Sequence, residues 1–368
     1  MSHVVDENGF PPGEFIRDEL EARGWTQEDL ADIMGRPSNA VNRIINGTKA
    51  ITPQTAKQLA AAFGTSAEVW MNLESAYRLA LDRAKHHDVE RRAALYSKVP
   101  VSDIVRRHWI AQCDTTDALE REVLRFLDIE CLDDTPLLSA AARKSAEDTT
   151  PAQIAWLCRV KHLADAMPCP PFSPALVERH LDALHALTAS EHEIRNVPRV
   201  LERMGIRFLV VQPLPRTKID GYTLWIDDKP VIALSLRYDR IDGFWHTLAH
   251  ELAHVRNGDR TPVDVDLVGP GRRRPVDDIE QRANREASEW LVPPSLLESF
   301  MVRTRPRYSK RRIIQFANLH KIHPGIIVGQ LQFREEIEWR HNREMLVSVR
   351  DILTESALTD GWGHVPQV

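Results

Sequence analysis

One stretch constrains this chain more than any other: Phe244-Trp245-His246-Thr247-Leu248-Ala249-His250-Glu251-Leu252-Ala253-His254-Val255. It contains His250-Glu251-x-x-His254. On a helix, positions i and i+4 share a face, so both imidazoles can reach a single Zn²⁺. Glu251 follows the first His and leans toward a water at the metal, which it can deprotonate. Leu248, Ala249, Leu252, Ala253 and Val255 suit a buried helix, and Asn257-Gly258 is a stop signal. The competing reading is two core histidines that happen to lie four apart. Catalytic zinc takes three protein ligands and keeps one position open, so the fold must bring a third ligand to this helix.

At 368 residues, with 43% hydrophobic and 27% charged residues, the chain is an ordinary globular one of two or three domains. Its net charge of −5 supplies no global attraction to nucleic acid or anionic lipid. The four cysteines, Cys113, Cys131, Cys158 and Cys169, form no C-x-x-C pair. They read as buried thiols of a reduced, cytoplasmic protein. With no signal-like start and no long apolar run, neither secretion nor a membrane span is expected.

Residues 1–83 read as a DNA-binding domain of five short helices. Glu14–Arg23 turns Phe15, Ile16 and Leu20 to one side and stops at Gly24. Thr26 caps a second helix that buries Leu30, Ala31 and Ile33. Gly35-Arg36-Pro37 makes a turn, and Ser38 is expected to cap a third helix, Asn39–Ile45. Thr52 caps a fourth with Pro53 in its first position, and Ala67–Arg83 forms a fifth. Two short helices about a Gly-containing turn match a helix-turn-helix, whose second helix enters the major groove. Ser38, Asn39, Asn42 and Arg43 would face base edges or phosphate there. Gln27, Thr48 and Lys49 are placed for backbone contacts. Seven Lys/Arg stand against eleven Asp/Glu in residues 1–80. Phosphate attraction per chain is therefore weak, and a homodimer is expected.

Residues 84–195 read as a helical connector, with breaks at Lys98-Val99-Pro100, Asp133-Asp134-Thr135-Pro136 and Met167–Pro174. Thr150-Pro151 opens a helix through Trp156 and Leu163. No metal spacing or catalytic pattern occurs there. Residues 196–340 form the domain that holds the motif, and residues 341–368 a tail, loosely ordered from Glu355 to Val368. Ile206–Gln212 reads as a buried strand. Tyr222–Ile226, Asp227-Asp228-Lys229-Pro230 and Val231–Leu236 read as a hairpin. The fold class is thus multidomain and mainly α. A five-helix, lambda-repressor-like helix-turn-helix head leads through the connector to an α+β minimal zincin.

The third ligand has several candidates: Asp259, Asp264, Asp266, Asp277, Asp278, Glu280, Glu286 and His246. Glu280 is preferred. It opens a helix, Glu280–Leu291, and Asn284 follows one turn later on the same face, where it can orient a ligand. His246, one turn before His250, is placed to support a ligand or touch substrate. His323, Tyr222 and Arg237 are candidates to stabilise transition-state charge, and His323 is preferred.

Two resemblances extend this reading. Pro12-Gly13-Glu14-Phe15, Thr26-Gln27-x-x-Leu30-Ala31, Val41–Thr52 and Phe63-Gly64-Thr65-Ser66-x-x-x-Trp70-Met71-Asn72-Leu73 resemble HigA-type antitoxins of the Xre/Cro-like repressor class. That resemblance implies dimeric binding of operator DNA and a possible toxin partner. Pro215-Arg216-Thr217-x-x-Asp220-Gly221, His250-Glu251-Leu252-Ala253-His254, Glu280-x-x-Ala283-Asn284 and Ile322-His323-Pro324-Gly325 resemble the ImmA/IrrE metallopeptidases. Those imply zinc-dependent cleavage of an Xre-type repressor, or of this chain itself, to relieve repression. Carried over, His250, His254 and Glu280 are ligands and Glu251 is the base. Arg282, Glu286 and His246 depart from that family's pattern. A sensor that no longer cuts, or a HigA-like antitoxin, is the alternative.

Overall fold

The computed structural model describes residues 10–81, 83–134, 149–260, 264–265 and 278–366. It is a mainly helical, multidomain structure with an N-terminal helix-turn-helix and a small C-terminal sheet. Two compact units divide at Ala94/Leu95. No helix of the described residues is long and apolar enough to cross a membrane.

The first unit has helices α1 (Pro12–Arg23), α2 (Gln27–Met34), α3 (Ser38–Ile45), α4 (Pro53–Phe63) and α5 (Ala67–Leu81). Local signals explain their limits. Thr26 Oγ1 accepts the Asp29 N–H while Asp29 accepts the Thr26 N–H, a reciprocal capping box. Thr52 caps α4, with Pro53 in its first turn, and Gly24, Gly35 and Gly64 close helices in left-handed conformations. Ile16, Leu30, Val41, Ile44, Leu59, Phe63 and Trp70 make the core. Gly13 is required by packing: a Cβ there would fall 1.8 Å from the Ile45 carbonyl oxygen.

Three local expectations fail. Ser38 does not cap α3: Pro37 occupies the cap position without a side-chain bond, and Ser38 is already helical. Ile33 is 50% exposed, because Met34 takes the inward position. Phe15 is likewise exposed.

The division falls within helix α6 (Arg83–Lys98). The second unit continues with α7 (Val101–Arg106), α8 (Thr116–Leu127), α9 (Pro151–Asp165), α10 (Pro174–Ala186) and α11 (Val197–Arg203). Next come β1 (Arg207–Val211), β2 (Ile219–Ile226), β3 (Lys229–Leu234), α12 (Ile241–Asn257), β4 (Asp264–Val265), α13 (Asp278–Leu291) and α14 (Pro294–Thr304). The chain ends with α15 (Lys310–His320), α16 (Pro324–Phe333), α17 (Arg350–Thr354) and β5 (Leu358–Asp360). The sheet order is β4-β2-β3-β1-β5. β1 runs parallel to β3 and β5, and β2 pairs antiparallel with β3 and β4. The β2–β3 hairpin turns at Asp227 and Asp228, both at positive φ, as a two-residue hairpin turn demands.

Strand alternation sends residues to two cores. Phe208, Val210, Ile232 and Leu234 pack with α12, α15 and α16. Leu209, Val211, Val231 and Ala233 pack with Trp156, Leu163, Val123 and Leu127. The sheet is thus a middle layer with helices on both faces. The expected 84–195 connector is therefore corrected: from Leu95 onward its helices share the sheet's core. Trp156 Nε1 donates to the Val211 carbonyl at 3.0 Å, and Gln153 Nε2 to that of Thr217 at 2.8 Å.

The expected loose tail is also corrected. β5 pairs with β1, and the buried Asp360 carboxylate accepts from Trp109 Nε1 and from Arg159 Nε at 2.5 Å. Of the four thiols, only Cys158 is buried; Cys131 is exposed. Burial pushes the Cys158 thiol up to about 12, so it stays protonated.

Candidate functional site

Helix α12 lies against β2 and β3 and is buried from Ile241 to Val255 except at the half-buried His246. His250 and Glu251 are 0% exposed and His254 1%. The i, i+4 spacing sets the two rings side by side, with Nε2 3.0 Å from Nε2. Glu280, in the first turn of α13, completes the cluster. Its Oε2 is 3.2 Å from His250 Nε2, and its Oε1 3.5 Å from His254 Nε2. All three donors lie within 4.8 Å of one another. Three ligands about 2.05 Å from one ion at tetrahedral angles would be about 3.3 Å apart, which these separations bracket. Glu280 Oε1 is buried and has no hydrogen-bond donor among the described residues. A cation would satisfy it, so the residues fit zinc.

The support for His254 comes from a residue that the sequence suggested only as a ligand. Gly258 ends α12 in the left-handed region, and the Asp259 N–H donates back to the His254 carbonyl at 2.9 Å. This turn points the Asp259 carboxylate at His254 Nδ1, 3.1 Å away. With its Nδ1–H given to Asp259, His254 keeps the Nε2 lone pair for a metal. Arg282 donates to both Asp259 oxygens at 2.7 and 2.6 Å. The unusual Arg282 therefore holds the carboxylate that orients a ligand histidine. The only hint in the sequence was an acid just after the helix stop.

The other candidate ligands sit elsewhere. Glu286 accepts from Asn257 Nδ2 at 2.9 Å, and Asp278 is exposed. Asp266 and Asp277 lie outside the described residues, and so do the side chains of Asp264 and Val265. Asn284 is half-buried one turn after Glu280. His246 lines a hollow with Asp242, Ser288, Leu291, Phe333 and Trp339, its ring 6.4 Å from that of Phe333.

Glu251 is held by β2. Its Oε2 accepts from Thr223 Oγ1 at 2.8 Å, and its carbonyl accepts from the same hydroxyl at 3.1 Å. Gly221 makes room for the carboxylate, since a Cβ there would fall 2.3 Å from Glu251 Oε1. Pattern reading missed both residues, because their proximity depends on how β2 crosses α12.

His323 has a partner at each ring nitrogen. It caps α16, its Nδ1 accepting the Gly325 N–H at 3.1 Å, and its Nε2 lies 3.3 Å from Glu191. Burial pulls its pKa below the ordinary histidine value, against the opposing charge of Glu191. Tyr222 points into the core on the far face of the sheet. Arg237 pairs with Asp220 at 3.0 Å and stacks over Tyr238.

In the first unit, Val41, Ile44 and Ile45 turn α3 inward, which leaves Ser38, Asn39, Asn42 and Arg43 exposed. Gln27, Thr48 and Lys49 are exposed as well. Thr48 Oγ1 donates to the Arg43 carbonyl at 3.0 Å, so the α3 exit is fixed. The turn before α3 is fixed by Gln58, which accepts from Arg36 at 2.7 Å and donates to the Met34 carbonyl at 3.0 Å.

A family model described as Helix-turn-helix matches residues 16–70. YddM of Escherichia coli (strain K12), an uncharacterized HTH-type transcriptional regulator, is 31% identical over 80 residues, or 22% of this chain and 84% of the relative. Antitoxin HigA-1 of Vibrio cholerae is 41% identical over 68 residues, 18% of this chain and 64% of the antitoxin. Among solved structures, PA4674 of Pseudomonas aeruginosa, in complex with its operator DNA, is 36% identical. The likeness covers 21% of this chain and 84% of that one, with a TM-score of 0.20. Through its first unit, the chain belongs to the helix-turn-helix family of HTH-type transcriptional regulators and has HigA-type antitoxins among its relatives.

Proposed function

We propose that this chain is a DNA-binding transcriptional regulator carrying a zinc-dependent endopeptidase, which cleaves an Xre-type repressor, or a copy of itself, to relieve repression. It works in the cytoplasm, and its head engages operator DNA as a dimer. One observation carries the peptidase reading: His250, His254 and Glu280 converge with ligand-like separations beside the buried Glu251. The ImmA/IrrE resemblance of the same residues supports it.

The three ligands would hold zinc, which when bound supplies Lewis acidity that activates a water and polarises a peptide carbonyl. Asp259 and Arg282 keep His254 in the tautomer that leaves Nε2 free to bind. Thr223 fixes one oxygen of Glu251, and the bare Cα of Gly221 leaves space for the other. Glu251 is thereby set to take the proton of the attacking water and to pass it to the leaving amine.

Purified protein, loaded with zinc and mixed with Xre-type repressors or with itself, tests this. The wild type is expected to cut at a single region, and Glu251→Gln to slow cleavage by about 10²–10⁴-fold, the scale of a general base. Equal cleavage by both proteins would remove the assignment.

The 41% identity to an antitoxin favours a second reading for the head, in which it also captures a small toxin. Co-purification of a small protein whose gene adjoins this one would support that reading; purification of the chain alone would oppose it.

A further inference from the structure

A basic cleft of about 570 Å³ opens in the second unit, a volume in the range of ligand sites. Arg106 and Arg107 at the end of α7, Arg216 and Lys218 between β1 and β2, and Arg237 after β3 line it, with Asp103 as the one acid. Partners of the same chain account for part of this charge. Arg106 pairs with Asp103, Arg107 donates to the Gln212 carbonyl at 3.0 Å and lies 3.8 Å from Asp360, and Arg237 pairs with Asp220. Arg216 and Lys218 are exposed and make no ion pair among the described residues.

The loop that carries these two is rigidly seated. Between them, Thr217 is 0% exposed, bonded through Oγ1 to the Leu214 carbonyl at 2.8 Å and through its own carbonyl to Gln153. Arg216 and Lys218 flank this anchor at φ 68° and 55°. Left-handed backbone is unfavourable for such residues and persists only where the surroundings enforce it. Here the enforced conformation keeps two cations presented to solvent.

Arg237 and Asp220 line a second hollow, together with Tyr238, Gly243 and Thr247. Thr247 stands one helical turn, about 6 Å, before Glu251. Asp220 precedes Gly221, against which Glu251 packs. Arg237 thus borders both the cleft and a narrow crevice, of about 10 Å³, beside the helix that carries Glu251.

We propose that this cleft holds an acidic stretch of the polypeptide substrate, on the same side of the unit as the β2 residues that flank Glu251. The proposal rests on the peptidase reading and adds the substrate's class: a protein with a run of Asp or Glu beside the bond that is cut. A free phosphate-type anion would need only the charges.

Binding to full-length Glu251→Gln protein tests the cleft without any need for turnover. The probes are a fluorescein-labelled decapeptide rich in Glu, its Gln counterpart, and a single-stranded oligonucleotide of equal charge as competitor. The Glu peptide is expected to bind, to weaken with rising salt, and to lose about tenfold in affinity in Arg216→Asn/Lys218→Asn. Asn tolerates the left-handed backbone, so this variant should melt with the parent. Arg216→Lys/Lys218→Arg should restore binding. Equal binding of the Gln peptide, indifference to the double Asn variant, or stronger binding of the oligonucleotide would overturn the proposal. None of these outcomes depends on cleavage. Wild-type cleavage with no acidic preference would remove the cleft assignment and leave the peptidase; acidic binding without cleavage would do the reverse.

Discussion

The two candidate sites differ in where they keep their polar groups. The α3 face displays Asn39, Asn42 and Arg43 to water on a helix whose other side is core. The His250–His254–Glu280 cluster lies inside the second unit, with both histidines nearly inaccessible. An exposed recognition face can lose side chains without harm to the fold, because each group is solvated before it binds. A buried cluster cannot. Its polar groups need partners in the folded state, and each partner removed leaves another stranded. Function and stability should therefore separate in the first site and move together in the second.

The strongest way to break this contrast is at Gly221. In Gly221→Ala the new Cβ would meet Glu251 Oε1 at 2.3 Å and Thr247 Cγ2 at 2.7 Å. Overpacking of this kind costs about 1–3 kcal/mol, so the melting temperature of the second unit should fall by several degrees, and cleavage should fail with it. A variant that melts and cuts like the parent would mean that β2 does not hold Glu251.

Asp259→Asn sharpens the same point with a smaller change. The side chain keeps its shape but loses the charge that orients His254, and losses of about 10–100-fold in metal affinity are typical of such supporting groups. Zinc competition with a chromogenic chelator would measure it. An unchanged affinity would reduce Asp259 and Arg282 to a surface ion pair.

In the first site, Asn42→Ala or Arg43→Ala should weaken operator binding by about 1–3 kcal/mol if the residue touches a base edge, with no shift in melting. Gel shift and thermal melting, run on the same samples, decide this. A fall in stability would show that α3 is not the free face described here.

The smallest effect is a pH effect away from both sites. Arg305 and Tyr308 hold the Glu336 carboxyl down at about 2, against an ordinary value of 4.5. A depressed carboxyl contributes its stability above the ordinary pKa and loses it as pH falls toward the folded value. Glu336→Gln should therefore narrow the loss in melting temperature between pH 4.5 and 2 and leave DNA binding at neutral pH unchanged.

The parts of this structure that the sequence made legible are those written in short-range chemistry. Thr26, Thr52 and Thr150 announced caps, and Thr150 forms a capping box with Gln153. Asp227-Asp228 announced the hairpin, and the HExxH spacing together with an acid opening α13 announced the cluster. What stayed hidden depends on crossings in space. Helical periodicity in residues 95–165 told which side of each helix was apolar, but not that a sheet would cover it. A three-residue strand such as Leu358–Asp360 is too short to stand out, and Arg159, Trp109 and Arg107, about two hundred residues or more earlier, make sense of Asp360. Thr223, Gly221 and Asp259 reach the site through a strand crossing and a helix-end turn, and neither leaves a periodic trace.

The buried cluster is the central claim, and its metal content tests it most directly. Full-length protein, purified without chelators and then dialysed, should contain one zinc per chain by elemental analysis. Glu280→Ala should contain almost none and should melt at the temperature of the chelator-treated wild type. A wild type that takes up no zinc, or a Glu280→Ala variant that keeps a full equivalent, would contradict the assignment.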